Sequence, residues 1–249
     1  MAADALSRCG SDVLRVRQWR SRSDVAHLTP LTTPGGLTRA HVQDTSDVLR
    51  SVGVTSIVTS AIGPTEATVF NSAGFSVREE LSLLSHDLTD LPQQAEPEPG
   101  DRLRRPTRSE FDDVLTVDSA AFQGFWRFDD TGLRDAIAAT PYTRVRAAEC
   151  FDRAPSIVGY AVTGRAGKTG FVQRLAVKPD HAGRGLGALL VVDGLYWLQR
   201  RRCTQAFVNT QSVNHRALAL YDRLGFVPEP HGLSVLQIGP DDGPLGLVP

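Results

Sequence analysis

Leu175-Ala-Val-Lys-Pro-Asp-His-Ala-Gly-Arg-Gly-Leu-Gly187 decides the fold of this chain, because it reads as a strand that runs through a proline turn into glycines opening a helix. Glycines at 183, 185 and 187 let the backbone come close to a ligand. The first N–H groups of a helix lack partners within it and carry a partial positive charge. Together these features make a cradle for a pyrophosphate. An ordinary strand-to-helix loop is the plainer reading of an isolated Gly-x-Gly. Two other phosphate motifs are formally present and fail on context. Gly183-x-Gly185-x-x-Ala188 fits the dinucleotide fingerprint, but residues 203–209 hold no acidic side chain for the ribose hydroxyls, which argues against a nucleotide-dependent oxidoreductase. Gly167-Lys168-Thr169 looks like the end of a P-loop, yet Val162 stands where its first glycine belongs and no helix follows.

Before this stretch, patterning predicts a meander of strands over 142–149, 156–163 and 169–177, with a glycine-rich turn at 164–168. Earlier still come a helix from an N-cap at Ser109 through Ala121 and another over 133–139, stopped at Pro141. After it follow a helix over 185–201, apolar almost all round, a strand over 204–209, a helix over 213–224 ended by Gly225, and a final strand region over 226–238. Gly194 sits inside the long helix without a local reason.

Residues 174–228 resemble the core of the GNAT acetyltransferase superfamily, especially its ribosomal-protein N-acetyltransferase branch. The resemblance rests on the strand Leu175-Ala-Val177, the turn Lys178-Pro-Asp-His181, the loop from Gly183 to Gly187 and the distal Asn214-His-Arg-Ala-Leu-Ala-Leu-Tyr-Asp-Arg-Leu-Gly-Phe226. It implies an α/β (α+β) fold with a mixed, mostly antiparallel sheet flanked by helices. It implies acetyl-CoA as co-substrate, no metal, and direct acetyl transfer in a ternary complex to a primary amine on a protein N-terminus, a lysine or a small molecule. In that reading the strand Leu175, Ala176 and Val177 pairs with the pantetheine arm through backbone groups of Leu175 and Val177. Gly183, Arg184, Gly185, Leu186, Gly187 and Ala188 cradle the pyrophosphate, and Asn214 hydrogen-bonds the arm. Tyr221 protonates the departing thiolate. A phenol with an ordinary pKa near 10 is protonated at neutral pH and comparable to a thiol in proton affinity, so the transfer is nearly balanced. Ala217, Leu220, Tyr221 and Leu224 also share helical spacing, so a core role competes for Tyr221.

The sequence departs from the family pattern at two places. Ala182 replaces the usual Arg or Gln opening the pyrophosphate loop, which lowers the expected cofactor affinity. Asn209 replaces a glutamate that the ribosomal branch offers as general base, and neither it nor Gln173 takes a proton usefully. A water chain, a carboxylate such as Glu149, or no dedicated base remain. A catalytically decayed CoA-binding regulatory or scaffold protein is the alternative function.

The segment 91–100, with three prolines among polar residues, breaks the chain and predicts a linker over 91–101. The plan is therefore an N-terminal unit over 1–90, an acetyltransferase domain over 102–240 and a tail over 241–249. In the N-terminal unit a helix over 38–52, a strand over 54–59 and a helix over 65–73 precede alternating residues over 75–87. Ala73-Gly-Phe75 answers Leu224-Gly-Phe226, and the helix-end-plus-strand over 49–59 answers 198–210, a partial GNAT-like repeat without its glycine-rich loop. An unrelated small α/β extension is the alternative.

Composition narrows the partners. A hydrophobic share of 41% and a charged share of 22% are those of an ordinary globular protein. A net charge of −1, with short basic stretches at 102–108 and 200–202 that carry no interleaved aromatics, argues against nucleic acid. No run of about 18 apolar residues argues for a membrane. Cys9, Cys150 and Cys203 form no CxxC, and the first residues lack a signal-peptide core, so a cytoplasmic monomer or homodimer is expected. The aromatic stretch Phe122-Gln-Gly-Phe-Trp-Arg-Phe128 either lines an acceptor pocket or closes a helix hairpin.

Overall fold

A computed structural model describes residues 10–20, 22–31, 36–94, 100–151 and 154–240. The expected tail, Cys9, Pro34-Gly35, most of the N-terminal stretch and residues 95–99 of the expected linker lie outside them. The described residues form two units, one of 10–83, 211–213 and 229–240, the other of 84–210 and 214–228.

The first unit opens with β1 (Leu14–Trp19) and β2 (Arg22–Pro30), antiparallel neighbours. α1 (Arg39–Ser51) then carries the chain to β3 (Ser56–Thr59), which lies parallel to β2. α1 buries Val42, Thr45, Ser46 and Leu49, the i, i+3, i+4, i+7 stripe of an amphipathic helix. α2 (Pro64–Ser72) adds Ala67 and Phe70 to the same core, and β4 (Ser76–His86) follows. Proline at the first position of α2 suits a place whose N–H has no helical partner.

β4 runs out of the first unit at Leu83, and its last residues belong to the second. There the chain forms β5 (Asp101–Arg104), a 3₁₀ turn, α3 (Phe111–Ala121) and α4 (Asp130–Ala138). The cap of the 3₁₀–α3 run is Thr107, not Ser109: Glu110 Oε2 accepts from the Thr107 N–H at 2.7 Å, a reciprocal box that Ser109 cannot make from within the first turn. Next come β6 (Tyr142–Cys150), β7 (Ser156–Ala166), β8 (Thr169–Val177), α5 (Leu186–Arg200), β9 (Gln205–Gln211), α6 (His215–Arg223) and β10 (Val227–Pro228). β5 to β8 form an antiparallel meander, and α5 crosses over to bring β9 parallel to β8. α5 lies close on β7: a methyl on Gly194 would stand 2.6 Å from Thr163 Oγ1, which accounts for a helical glycine that costs about 1 kcal/mol against alanine.

The chain returns to the first unit as β11 (Leu233–Ile238), antiparallel to both β3 and β4. The fold is thus a mixed, mostly antiparallel α/β one with helices flanking the strands.

Candidate active site

The register of β8 defines the site. β8 pairs with β9 from Thr169↔Gln205 to Val172↔Val208 and then leaves it, while its pairing with β7 continues to Gly159↔Val177. Residues 173–177 therefore have one paired edge and one open edge. The Lys178 N–H donates to Val158 C=O at 2.8 Å, so Ala176 faces β7 as well, and by strand alternation the N–H and C=O groups of Leu175 and Val177 face the open edge. A bulge lies where the strands part: Val162 opposes Arg174 and Thr163 opposes Val172, leaving Gln173 as the extra residue.

At the C-terminal end of this edge stands the α5 N-terminus. Gly183 and Gly185 hold φ of 82° and 79°, left-handed values that a side chain disfavours, and no atom lies within 4 Å of where a Cβ would be. No side chain caps the helix. Among the described residues, nothing accepts from the N–H groups of Gly183, Gly185, Leu186, Gly187 or Ala188. Arg184 contributes backbone only, since its guanidinium reaches Asp101 at 3.2 Å and Cys150 Sγ at 3.6 Å. Orphan donors at a positive helix end fit a pyrophosphate, and an open strand edge fits the amides of a pantetheine arm.

α6 closes the group. Leu175, Ala188, Ala217 and Leu220 pack on one apolar cluster with Val172, Val208 and Tyr221. That cluster joins Tyr221 to the two residues at which β8 and β9 part. Its phenol is buried, makes no hydrogen bond among the described residues, and meets Phe226 edge-on at 5.4 Å. Burial pushes it above its ordinary value, so it holds its proton throughout the neutral range. Asn214 spends its side-chain oxygen capping α6, accepting from the Ala217 N–H at 3.1 Å, and only its amide nitrogen is left to donate. Glu149 is no base: Arg104 and Arg102 hold it at 2.6 Å, and Arg104 first among them keeps its carboxyl below the usual range.

Sequence reading missed the group beside β8. Buried Arg174 donates from Nε and Nη2 to the two carboxylate oxygens of Asp118 of α3 at 2.8 and 2.9 Å, and the Tyr160 hydroxyl donates to the same carboxylate at 2.6 Å. Arg174 lies between the rings of Phe122 and Phe128, 3.5 and 3.9 Å from their centres, and donates to the Trp126 carbonyl at 2.6 Å. The aromatic stretch thus closes over a cation. Partners 42 and 56 positions apart leave no spacing signal.

Residues 108–226 match the model of the acetyltransferase (GNAT) family. This domain belongs to the GNAT acetyltransferase family. Mycothiol acetyltransferase of Rhodococcus jostii (strain RHA1) is 33% identical over 184 residues, 66% of this chain and 58% of the relative. The enzyme of the same name from Rhodococcus opacus (strain B4) is 33% identical over 131 residues, 46% and 41%. The chain therefore spans less than two thirds of the length of these relatives. A tandem GNAT protein from the clavulanic acid biosynthesis pathway superposes with a TM-score of 0.66 at 17% identity, covering 92% of this chain and 79% of that one. A GCN5-related N-acetyltransferase from Sphaerobacter thermophilus gives 0.63 at 17%, covering 91% and 76%. At such identity the likeness is one of fold. Among the described residues, no cluster of three or more His, Cys, Asp or Glu could hold a metal, and no helix is long and apolar enough to cross a membrane.

Proposed function

We propose that the GNAT domain binds acetyl-CoA along the open edge of β8 and moves its acetyl group to the primary amine of a small molecule. The observation that carries this is the coincidence of two unsatisfied backbone surfaces, the β8 edge at Leu175 and Val177 and the α5 N-terminus, in consecutive segments. Relatives named mycothiol acetyltransferase favour a small-molecule acceptor over a protein N-terminus or lysine.

When bound, acetyl-CoA supplies a thioester carbonyl open to attack by a neutral amine. The backbone of Gly183 to Ala188 holds its pyrophosphate, Leu175 and Val177 fix its arm, and the Asn214 amide nitrogen donates to it. As the C–N bond forms and the C–S bond breaks, Tyr221 gives its proton to the departing sulfur and regains one from water. The proton shed by nitrogen passes to solvent. Burial keeps the phenol protonated until the sulfur departs. The first unit carries the same strand–helix–strand crossover without these surfaces and serves as a non-catalytic repeat.

Calorimetry with acetyl-CoA and CoA tests the reading, using wild type and Gly185→Glu, which puts bulk and negative charge in the cradle. Binding lost in a still-folded variant supports it and makes Tyr221→Phe the next control. No binding by wild type overturns it, and binding without turnover of any amine favours the decayed CoA-binding scaffold.

A further inference from the structure

We propose that Gln173 and Trp126 form the polar end of the acceptor site, with Gln173 Oε1 accepting an N–H of the attacking amine and Trp126 Nε1 donating to an oxygen elsewhere on the same small molecule. This rests on the acetyl-transfer reading above and deepens it.

Gln173 is the first residue of β8 past its last pair with β9. An arm that starts at the α5 N-terminus and passes Val177 and then Leu175 ends beside it, so the thioester and its nucleophile meet there. The bulge gives Gln173 and Arg174 to the same face of the strand. Arg174 identifies that face through Asp118 of α3. Gln173 does so independently, because a Cβ on Gly164 would meet Thr140, just after α4, and stand 2.5 Å from Gln173 Oε1. Glycine at 164 is what leaves room for the amide.

Two side-chain atoms, one on β8 and one in the segment that closes over Arg174, are buried without a partner among the described residues: Gln173 Oε1 and Trp126 Nε1. A buried acceptor and a buried donor left unmade are each costly, and native structures keep few of them without a reason. A ligand offering an N–H and an oxygen satisfies both. Trp126 is held for the purpose, since Arg174, the residue after Gln173, fixes its carbonyl and is itself fixed between Phe122 and Phe128. Gln173 cannot take the proton; by accepting one N–H it turns the nitrogen lone pair towards the thioester. The substrate class is an amine with a hydroxyl or ether oxygen close by.

The test follows thiol release from acetyl-CoA with D-glucosamine and with cyclohexylamine, which lacks the oxygens, in wild type, Trp126→Phe, Gln173→Met and Gln173→Glu. Acetyl-CoA affinity measured on each variant reports that the domain is intact. With kcat/KM counted on the neutral form of each amine, wild type should prefer D-glucosamine about tenfold, the worth of one hydrogen bond, and Trp126→Phe should erase the preference. Gln173→Met should raise the KM of both amines about tenfold with acetyl-CoA affinity unchanged, and Gln173→Glu, which keeps an acceptor oxygen, should restore most of it. A wild type that binds acetyl-CoA but acetylates neither amine or prefers neither overturns the proposal, as does an amine KM unmoved by Gln173→Met or moved only together with acetyl-CoA affinity. Failure to bind acetyl-CoA at all overturns the reading beneath, and this inference with it.

Discussion

In the first unit β2 and β3 run parallel on either side of α1, and in the second β8 and β9 run parallel on either side of α5. The two crossovers differ in what they leave unsatisfied. β2 stays with β3 from Val25 to Leu28, and the Thr55 and Ser60 N–H groups extend the ladder to Asp24 and Leu28 at 2.9 and 2.8 Å. Past that ladder only Thr29 and Pro30 remain at the C-terminal end of β2, both paired with β1 on the other edge. β8 gives up its partner with five residues still to run. The helices differ in the same sense. Thr38 Oγ1 accepts from the His41 N–H and His41 Nδ1 from the Thr38 N–H, both at 3.3 Å, so a reciprocal side-chain cap uses two donors at the start of α1, whereas α5 begins uncapped. One topology is sealed and the other open, and the difference lies in backbone groups rather than in any catalytic side chain.

The harshest way to break this comparison is to fill the open cradle. Gly185→Glu should lower acetyl-CoA affinity by more than about 100-fold, since both its left-handed backbone and its charge oppose the site. Titration of wild type should give one acetyl-CoA per chain. A stoichiometry of two would mean that the sealed crossover binds as well, and the contrast between the units would be lost.

A change beside the open edge should cost stability instead. Arg174→Met leaves the Asp118 carboxylate buried without its partner and should destabilise the second unit by about 3–5 kcal/mol. Asp118→Asn with Arg174→Met should recover part of that loss in urea unfolding. A near-neutral single variant would show that the paired charges do not hold the 122–128 segment.

These residues also show what the sequence could and could not say. The glycine loop, the bounds of α5 and the α6 motif were legible because each is a local pattern: turn chemistry, period and caps within a few positions. The open edge was not, because it depends on where two strands stop pairing, and the bulge at Gln173 that sets this carries no signature of its own. β1 and β2 escaped for a different reason. Leu14 and Val16 alternate with arginines, but Val25 and Ala26 are buried in succession and blur the period of two. β11 could be seen as a strand, but its pairing with β3 and β4, about 150 residues away or more, left no local trace.

Protonation offers a milder test of the first unit. Burial, helped by the charges of Arg17 and Arg20, lowers the pKa of His27 on β2 to about 4, against an ordinary 6.5. The folded unit disfavours the protonated ring, and the unfolded chain does not. Stability is therefore full above pH 6.5 and falls as the pH drops from there towards 4, by at most about 1.4 kcal/mol per pH unit, with no further loss from this group below 4. Thermal unfolding of His27→Gln should show a flatter profile across that window than wild type. Parallel profiles would place the acid sensitivity elsewhere.

Thr38→Ala is the smallest change and the one that bears most directly on why one crossover is sealed. It removes the oxygen that satisfies the His41 N–H and should cost about 1 kcal/mol of stability, read as a lower midpoint in urea with an unchanged slope. If capping alone kept α1 from holding an anion, uncapping it would let that end take up a phosphate group. If the closed β2–β3 ladder is what excludes the arm, the variant loses stability and gains no affinity. The second outcome is expected, because freeing one donor opens no strand edge, and acetyl-CoA titration of Thr38→Ala should again saturate at one equivalent.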